Sequence, residues 1–142
     1  MSVERCFVDT NVLIYLFDDD SPGKKARAQA LLDIERDRIV LSTQVLGEFY
    51  VNVTRKLEEP LSPDAAAQAV EDFSRLEVRS ITPELVLAAV RRSRSSLLSY
   101  WDSLIVETAR SAGAEFLFTE DLEHGQEIDG LRIVNPFENA DP

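Results

Sequence analysis

The chain has 142 residues, 44% hydrophobic and 29% charged, the proportions of a soluble globular protein long enough to bury a core without disulfides or a structural metal. Its 15 basic and 26 acidic residues give a formal net charge of -11, which argues against a protein that holds nucleic acid through a broad positive field. No stretch approaches the roughly 18 apolar residues of a membrane span, Met1 to Arg5 show no signal-peptide pattern, and a single cysteine, Cys6, excludes a disulfide framework, so a cytoplasmic protein without a membrane anchor is expected.

In chain order, Cys6-Phe7-Val8 is a short apolar run that ends abruptly in Asp9-Thr10-Asn11. An apolar run without alternation is buried on both faces, which predicts a central parallel strand. Val12 to Phe17 continue as a short helix begun at Thr10 or Asn11, and Asp18-Asp19-Asp20 ends it. Ser21-Pro22 opens a second helix, with serine as cap and proline in the first turn; Ala26, Ala30, Leu31 and Ile34 give it an apolar side. Ile39-Val40-Leu41 is the second strand. Ser42 or Thr43 caps a third helix, in which Leu46, Phe49, Tyr50, Val53 and Leu57 recur at helical spacing. Ser62-Pro63 starts a fourth helix, Val78 to Ile81 form a third strand, and Thr82-Pro83 starts a fifth helix that ends in Arg91, Arg92 and Arg94. Tyr100-Trp101-Asp102 opens a sixth, which Gly113 stops. Glu115 to Phe118 is the fourth strand and Leu131 to Val134 the last. Strands alternating with helices, without an internal repeat or linker, predict an α/β fold: a three-layer α/β/α sandwich around a mostly parallel sheet, with residues 1–142 as a single domain.

Four acids draw attention within this frame. Asp9 directly follows the first strand, Glu48 lies early in the helix after the second, Asp102 opens the sixth helix and Asp121 follows the fourth strand. In a parallel sheet, Asp9, Glu48 and Asp121 fall along one edge, the edge where ligands gather in open α/β sheets. Singly, each has an ordinary structural explanation. Asp9 caps the next helix, Asp102 forms a capping box with Ser99, Glu48 is a solvated helix residue, and Asp121 is a turn former. Together they mean more, because carboxylates gathered in a crevice raise one another's pKa and are costly without a cation. An oxygen-only set, in a chain with one cysteine and one histidine, suits Mg2+ or Mn2+ better than zinc or copper. Such an ion typically works on phosphates, and it can generate a nucleophile from water for in-line attack at phosphorus.

The stretches Phe7-Val8-Asp9-Thr10-Asn11-Val12-Leu13-Ile14-Tyr15, Tyr100-Trp101-Asp102-Ser103-Leu104-Ile105 and Phe118-Thr119-Glu120-Asp121-Leu122, with Glu48 between them, resemble the four acidic motifs of PIN-domain ribonucleases, most of all the VapC-type toxins of bacterial toxin-antitoxin pairs. The resemblance runs from Cys6 to Pro136. It implies a five-stranded parallel sheet, Mg2+- or Mn2+-dependent endoribonuclease activity, a homodimer, and inhibition by a cognate antitoxin, whose basic C-terminal segment would suit the acidity of the chain. It also brings Asp102, which follows a helix, to the other three acids. By the same resemblance Asp9, Asp102 and Asp121 are metal ligands, Glu48 orients or deprotonates the attacking water, and Thr10, Asn11 and Thr119 hold the carboxylates in place.

Further residues stay open at this stage. Glu120 adjoins Asp121 and competes with it for the fourth acidic position. His124, in a glycine-containing loop just after it, is either a surface residue or an RNA contact. Glu84 starts a helix after a strand but matches no motif. Trp101 is expected to pack in the core near the site, with base stacking as the lesser alternative. Arg91, Arg92 and Arg94 complement a helix C-terminus, and Lys24, Lys25 and Arg27 form a solvated basic stretch. Two other functions compete with the nuclease. A haloacid-dehalogenase-like phosphatase also places an aspartate after its first strand, but it needs a second acid where Asn11 stands. A catalytically silent module binding RNA or protein would keep the fold and lose acids, whereas all four are present.

Overall fold

The computed structural model describes residues 4–138. The elements follow the expected alternation. Strand β1 (Arg5–Val8) leads into helix α1 (Thr10–Tyr15), then α2 (Pro22–Glu35), a short 3-10 turn, β2 (Ile39–Ser42), α3 (Thr43–Arg55), α4 (Pro63–Phe73), β3 (Glu77–Arg79), α5 (Pro83–Ser95), α6 (Tyr100–Ser111), β4 (Ala114–Phe118), β5 (Glu127–Ile128) and β6 (Leu131–Val134). The sheet order is β3-β2-β1-β4-β6-β5. Strand β1 sits inside it, parallel to β2 on one side and to β4 on the other. That position explains its unbroken apolar run, for Cys6, Phe7 and Val8 are all buried. Burial also pushes the Cys6 thiol up to about 11, with Glu35 adding to the effect, so this cysteine stays an inert apolar residue at neutral pH.

From β1 the chain steps outward through β2 to β3, then returns past them to β4 and β6. Helices α1 to α4 pack among themselves, and α5 packs on α6. Because parallel crossovers are right-handed, reversing direction across the sheet puts the two groups on opposite faces. The result is the expected three-layer sandwich with a mostly parallel sheet.

Three expectations need correction. The sheet has six strands, not five. Five are parallel, and the sixth, β5, is a two-residue strand antiparallel to β6. Its turn uses Asp129 and Gly130, with φ of 49° and 89°, the Asp-Gly chemistry of a tight hairpin. The two-residue run was too short to show periodicity.

Helix α2 buries a different side from the one expected. Ala28 is fully buried and Ile34 is 75% exposed, and Ser21 stands at the cap position without a side-chain hydrogen bond. Alanines distributed around the helix gave no unique apolar direction.

In α3 the buried stripe is Val45, Phe49 and Val53, while Tyr50 is exposed. Phe49 fixes this rotation, since it packs edge-to-face on Phe17 at 5.5 Å and on Phe73 at 5.1 Å. The consequence is functional: the stripe Gln44, Glu48 and Asn52, one helical turn apart, faces the end of the sheet.

Candidate active site

The strand order reverses at β1 and β4, so the segments leaving their carboxyl ends diverge and open a crevice, the usual ligand position in such sheets. Asp9 leaves β1 at this point, and its N–H still donates to Phe118 O of β4 at 3.0 Å. Thr119, Glu120 and Asp121 leave β4. Glu48 comes from the second turn of α3 and Asp102 from the first turn of α6. Asp9, Glu48, Asp102 and Asp121 all line one cavity of about 230 Å³.

The polar residues beside these acids tie them together. Asp9 is 6% exposed. Its Oδ1 accepts from Thr10 N–H at 2.7 Å and so caps α1, while its Oδ2 accepts from Thr119 Oγ1 at 2.8 Å. Capping and site-building are therefore one arrangement, not alternatives. Thr10 Oγ1 donates to Glu48 Oε2 at 2.8 Å, and Gln44 Nε2 donates to Glu48 Oε1 at 2.7 Å. Asn11 Nδ2 donates to Asp121 Oδ2 at 3.0 Å and to Thr119 Oγ1 at 3.2 Å. Asp102 N–H donates to Ser99 Oγ at 3.0 Å, which caps α6 and sets the carboxylate in its first turn.

Electrostatics favour a bound cation. Burial pushes the Asp9 carboxyl up to about 7, and the charges of Asp121 and Glu48 add to it, against the hydrogen bonds from Thr119 and from the Thr10 N–H. Asp102 is also raised, first by burial, then by Asp121, with Glu48 contributing and Ser99 opposing. Among the described residues no lysine, arginine or histidine lines the cavity. Four carboxylates without a basic neighbour, presenting only oxygen, fit a hard divalent ion, which would relieve the repulsion. Among the described residues no three acidic, cysteine or histidine side chains form a ready-made ion site. Mg2+ needs only one or two carboxylates, with water completing its shell.

Other candidates separate cleanly. Glu120 lies outside the cavity lining, accepting from Tyr15 OH at 2.6 Å and from Lys24 Nζ at 3.1 Å, whereas Asp121 is part of it. His124 is in a surface turn, where Nδ1 accepts from Asn135 N–H at 3.0 Å. Glu84 is exposed in the first turn of α5, away from the cavity lining. Arg92 bridges Glu107 at 2.6 Å and Asp129 at 2.8 Å, a structural tie between α5, α6 and the β5–β6 turn. Trp101 corrects the sequence expectation: it is 62% exposed at the cavity wall, not packed in the core. It shares a helix face with the buried Leu104, Ile105 and Thr108, but it stands in the first turn of α6, at the cavity wall, and stays exposed there.

Gln44 is a polar lining residue that sequence reasoning missed, and Asn52 on the same stripe is another. Besides holding Glu48, Gln44 Nε2 reaches Trp101 O at 3.4 Å and joins α3 to α6, while its buried Oε1 has no protein partner. The available signal was its spacing, one turn before Glu48 on the face of α3 that Val45, Phe49 and Val53 leave to the crevice.

The fold is an α/β/α sandwich with an acidic crevice at its switch point. The model of the PIN domain matches residues 6–127, and the chain belongs to the PIN-domain family. Solved structures agree. A toxin-antitoxin complex from Klebsiella pneumoniae superposes with a TM-score of 0.71 at 22% identity, covering 94% of this chain and 98% of that one. VapC20 of Mycobacterium tuberculosis, described as a sarcin-ricin loop cleaving toxin, gives 0.66 at 20% identity over 82% of this chain and 89% of that one. DNA-bound VapBC from Salmonella typhimurium gives 0.64 at 22% identity over 92% and 97%. At these identities the likeness is one of fold. No curated protein sequence matches the chain significantly.

Proposed function

We propose that the chain is a VapC-type toxin: a divalent-metal-dependent endoribonuclease, working as one PIN domain and restrained by a cognate antitoxin. The observation that carries this is the meeting of Asp9, Glu48, Asp102 and Asp121, from four separate elements, on one cavity at the switch point. Structural similarity to VapC20, a sarcin-ricin loop cleaving toxin, and to toxin-antitoxin complexes supports the same function.

Asp9, Asp102 and Asp121 are the residues to hold Mg2+ or Mn2+. The ion, when bound, neutralises charge on a phosphodiester and favours attack at phosphorus. Glu48 orients the attacking water and accepts its proton; in support, Thr10 and Gln44 each hold one of its oxygens by a short hydrogen bond. The new oxygen–phosphorus bond forms as the bond to the leaving ribose oxygen breaks. Thr10, Asn11 and Thr119 hold the carboxylates in position.

The partners follow from surface and charge. Val86, Leu87 and Val90 on α5, and Leu97 just beyond it, are exposed, and exposed apolar clusters mark protein contacts. They suit a homodimer or the body of the antitoxin, while the carboxylate crevice suits a basic antitoxin segment. A cytoplasmic location is proposed with this function; among the described residues no helix is long and apolar enough to cross a membrane.

The test is to incubate the protein, purified free of other chains, with structured RNAs and Mg2+ or Mn2+. Cleavage that a chelator stops, and that Asp9→Asn abolishes, is expected. RNA binding without cleavage by a folded preparation at any concentration of either metal would reject the enzyme in favour of a silent binding module.

A further inference from the structure

An acidic nuclease has to retain its substrate against repulsion. The chain carries a formal net charge of -11, and among the described residues its cavity is lined by four carboxylates and no basic side chain. Lys24 of α2, which reaches the loop after β4, is already committed to Glu120 at 3.1 Å. Affinity at the crevice therefore needs a source other than a positive surface.

Trp101 supplies one. It is the only tryptophan, it lines the same cavity as Asp9 and Asp121, and it is 62% exposed. Its neighbours hold it in place. Tyr100 packs edge-to-face against the indole, with centroids 4.9 Å apart and planes at 76°. Its own carbonyl is tied to Gln44 Nε2 at 3.4 Å, and the Ser99 cap fixes the turn that carries it. An indole held at the wall of the same cavity as the four carboxylates, and adjoining Asp102 in sequence, stands beside any phosphodiester lying on them.

We propose that the exposed face of Trp101 is a stacking platform for one nucleobase of single-stranded RNA, next to the phosphodiester that occupies the acidic crevice. The inference rests on RNA being the substrate. Stacking on an aromatic ring does not depend on net charge and accepts any base. Trp101 thus contributes affinity and positioning, and little choice of sequence. Loss of one such contact weakens binding by roughly ten- to a hundred-fold. An RNA base fits this place better than an apolar protein surface, because four carboxylates share the cavity with the indole and would have to be desolvated under such a surface.

As the only tryptophan, Trp101 reports on itself. A fluorescein-labelled 12-mer of single-stranded RNA, in Mg2+, is titrated with Asp9→Asn protein, which keeps Trp101 and does not cleave. Label anisotropy reads binding and indole emission reads stacking. The expected result is saturable quenching of the indole that tracks the anisotropy. In the same background Trp101→Ala should weaken binding ten- to a hundred-fold, and Trp101→Phe should restore most of it. Binding with unchanged indole emission, or cleavage by the unmutated protein with unchanged emission, overturns the platform and leaves the nuclease standing. Failure of both the unmutated protein and Asp9→Asn to bind RNA overturns both. Trp101→Ala that shifts the sedimenting species from dimer to monomer, with RNA affinity per protomer unchanged, overturns the platform in favour of a contact between copies of the chain.

Discussion

Thr119 Oγ1 donates to Asp9 Oδ2 at 2.8 Å and accepts from the Asp121 N–H at 3.1 Å. One fully buried hydroxyl thus joins the end of β1 to the loop after β4 and sets the separation of two of the four acids. Thr119→Val keeps the shape and removes both bonds, together with the one that Asn11 Nδ2 donates at 3.2 Å. Expected are a loss of about 1 kcal/mol in stability and a fall of roughly ten- to a hundred-fold in metal affinity or cleavage. Denaturant unfolding and calorimetric Mn2+ titration would measure the two effects separately. Unchanged metal affinity would remove Thr119 from the site.

Asp9 makes stability depend on pH in an unusual direction. Its folded pKa, about 7, lies above the ordinary value of an unfolded aspartate, about 3.9. Between these values the folded state holds a proton that the unfolded state has lost. The contribution of Asp9 to stability is therefore greatest below about pH 4, declines as pH rises, and is lost above about pH 7. Asp9→Asn is neutral throughout. In metal-free protein its stability relative to the unmutated chain should rise between pH 5 and 7.5 and then level off, as measured by urea unfolding at each pH. A flat difference would mean that Asp9 ionises normally.

Glu120 and Asp121 are adjacent and should differ sharply. Glu120 is held by Tyr15 and Lys24, whereas Asp121 lines the cavity with Asn11 on its Oδ2. Asp121→Asn is expected to cut cleavage at least ten-fold. Glu120→Gln should leave the rate within about two-fold and cost less than about 1 kcal/mol of stability, in keeping with a partly exposed ion pair. The reverse pattern in a cleavage assay would exchange their roles.

Arg92 provides a control away from the crevice. It bridges Glu107 and Asp129, and the Arg92 and Glu107 side chains are both largely buried. Arg92→Met leaves Glu107 with only a longer contact to Arg110 at 3.4 Å. Thermal or urea unfolding should show a loss of about 2 kcal/mol, with the cleavage rate of the folded fraction unchanged.

The fold was legible wherever burial is dictated by the strand itself. Cys6 to Val8 form an apolar run that only a covered strand accommodates, Leu131 to Val134 bury Leu131 and Ile133 around an exposed Arg132, and the serine, threonine and proline helix starts mark most helix boundaries. What stayed hidden depends on neighbours distant in sequence. The rotation of α3 is decided by Phe17 and Phe73 around Phe49, which no periodicity within the helix reveals, and Gln44 reached the site through that rotation. The exposure of Trp101 is equally non-local, since an aromatic beside an acidic motif reads as core until the position of α6 is known. Asp9 showed its cap in the sequence. Its second bond, to Thr119, required β1 and β4 to be neighbours.

The central claim is that Asp9, Asp102 and Asp121 together hold a divalent ion. Anomalous scattering from crystals equilibrated with Mn2+ tests it most directly. The expected result is an anomalous peak in the crevice bounded by these three carboxylates, absent from Asp9→Asn crystals grown in the same way. At saturating Mn2+, a crevice without a peak, or a peak confined to other surface acids such as Asp18 to Asp20, would contradict it.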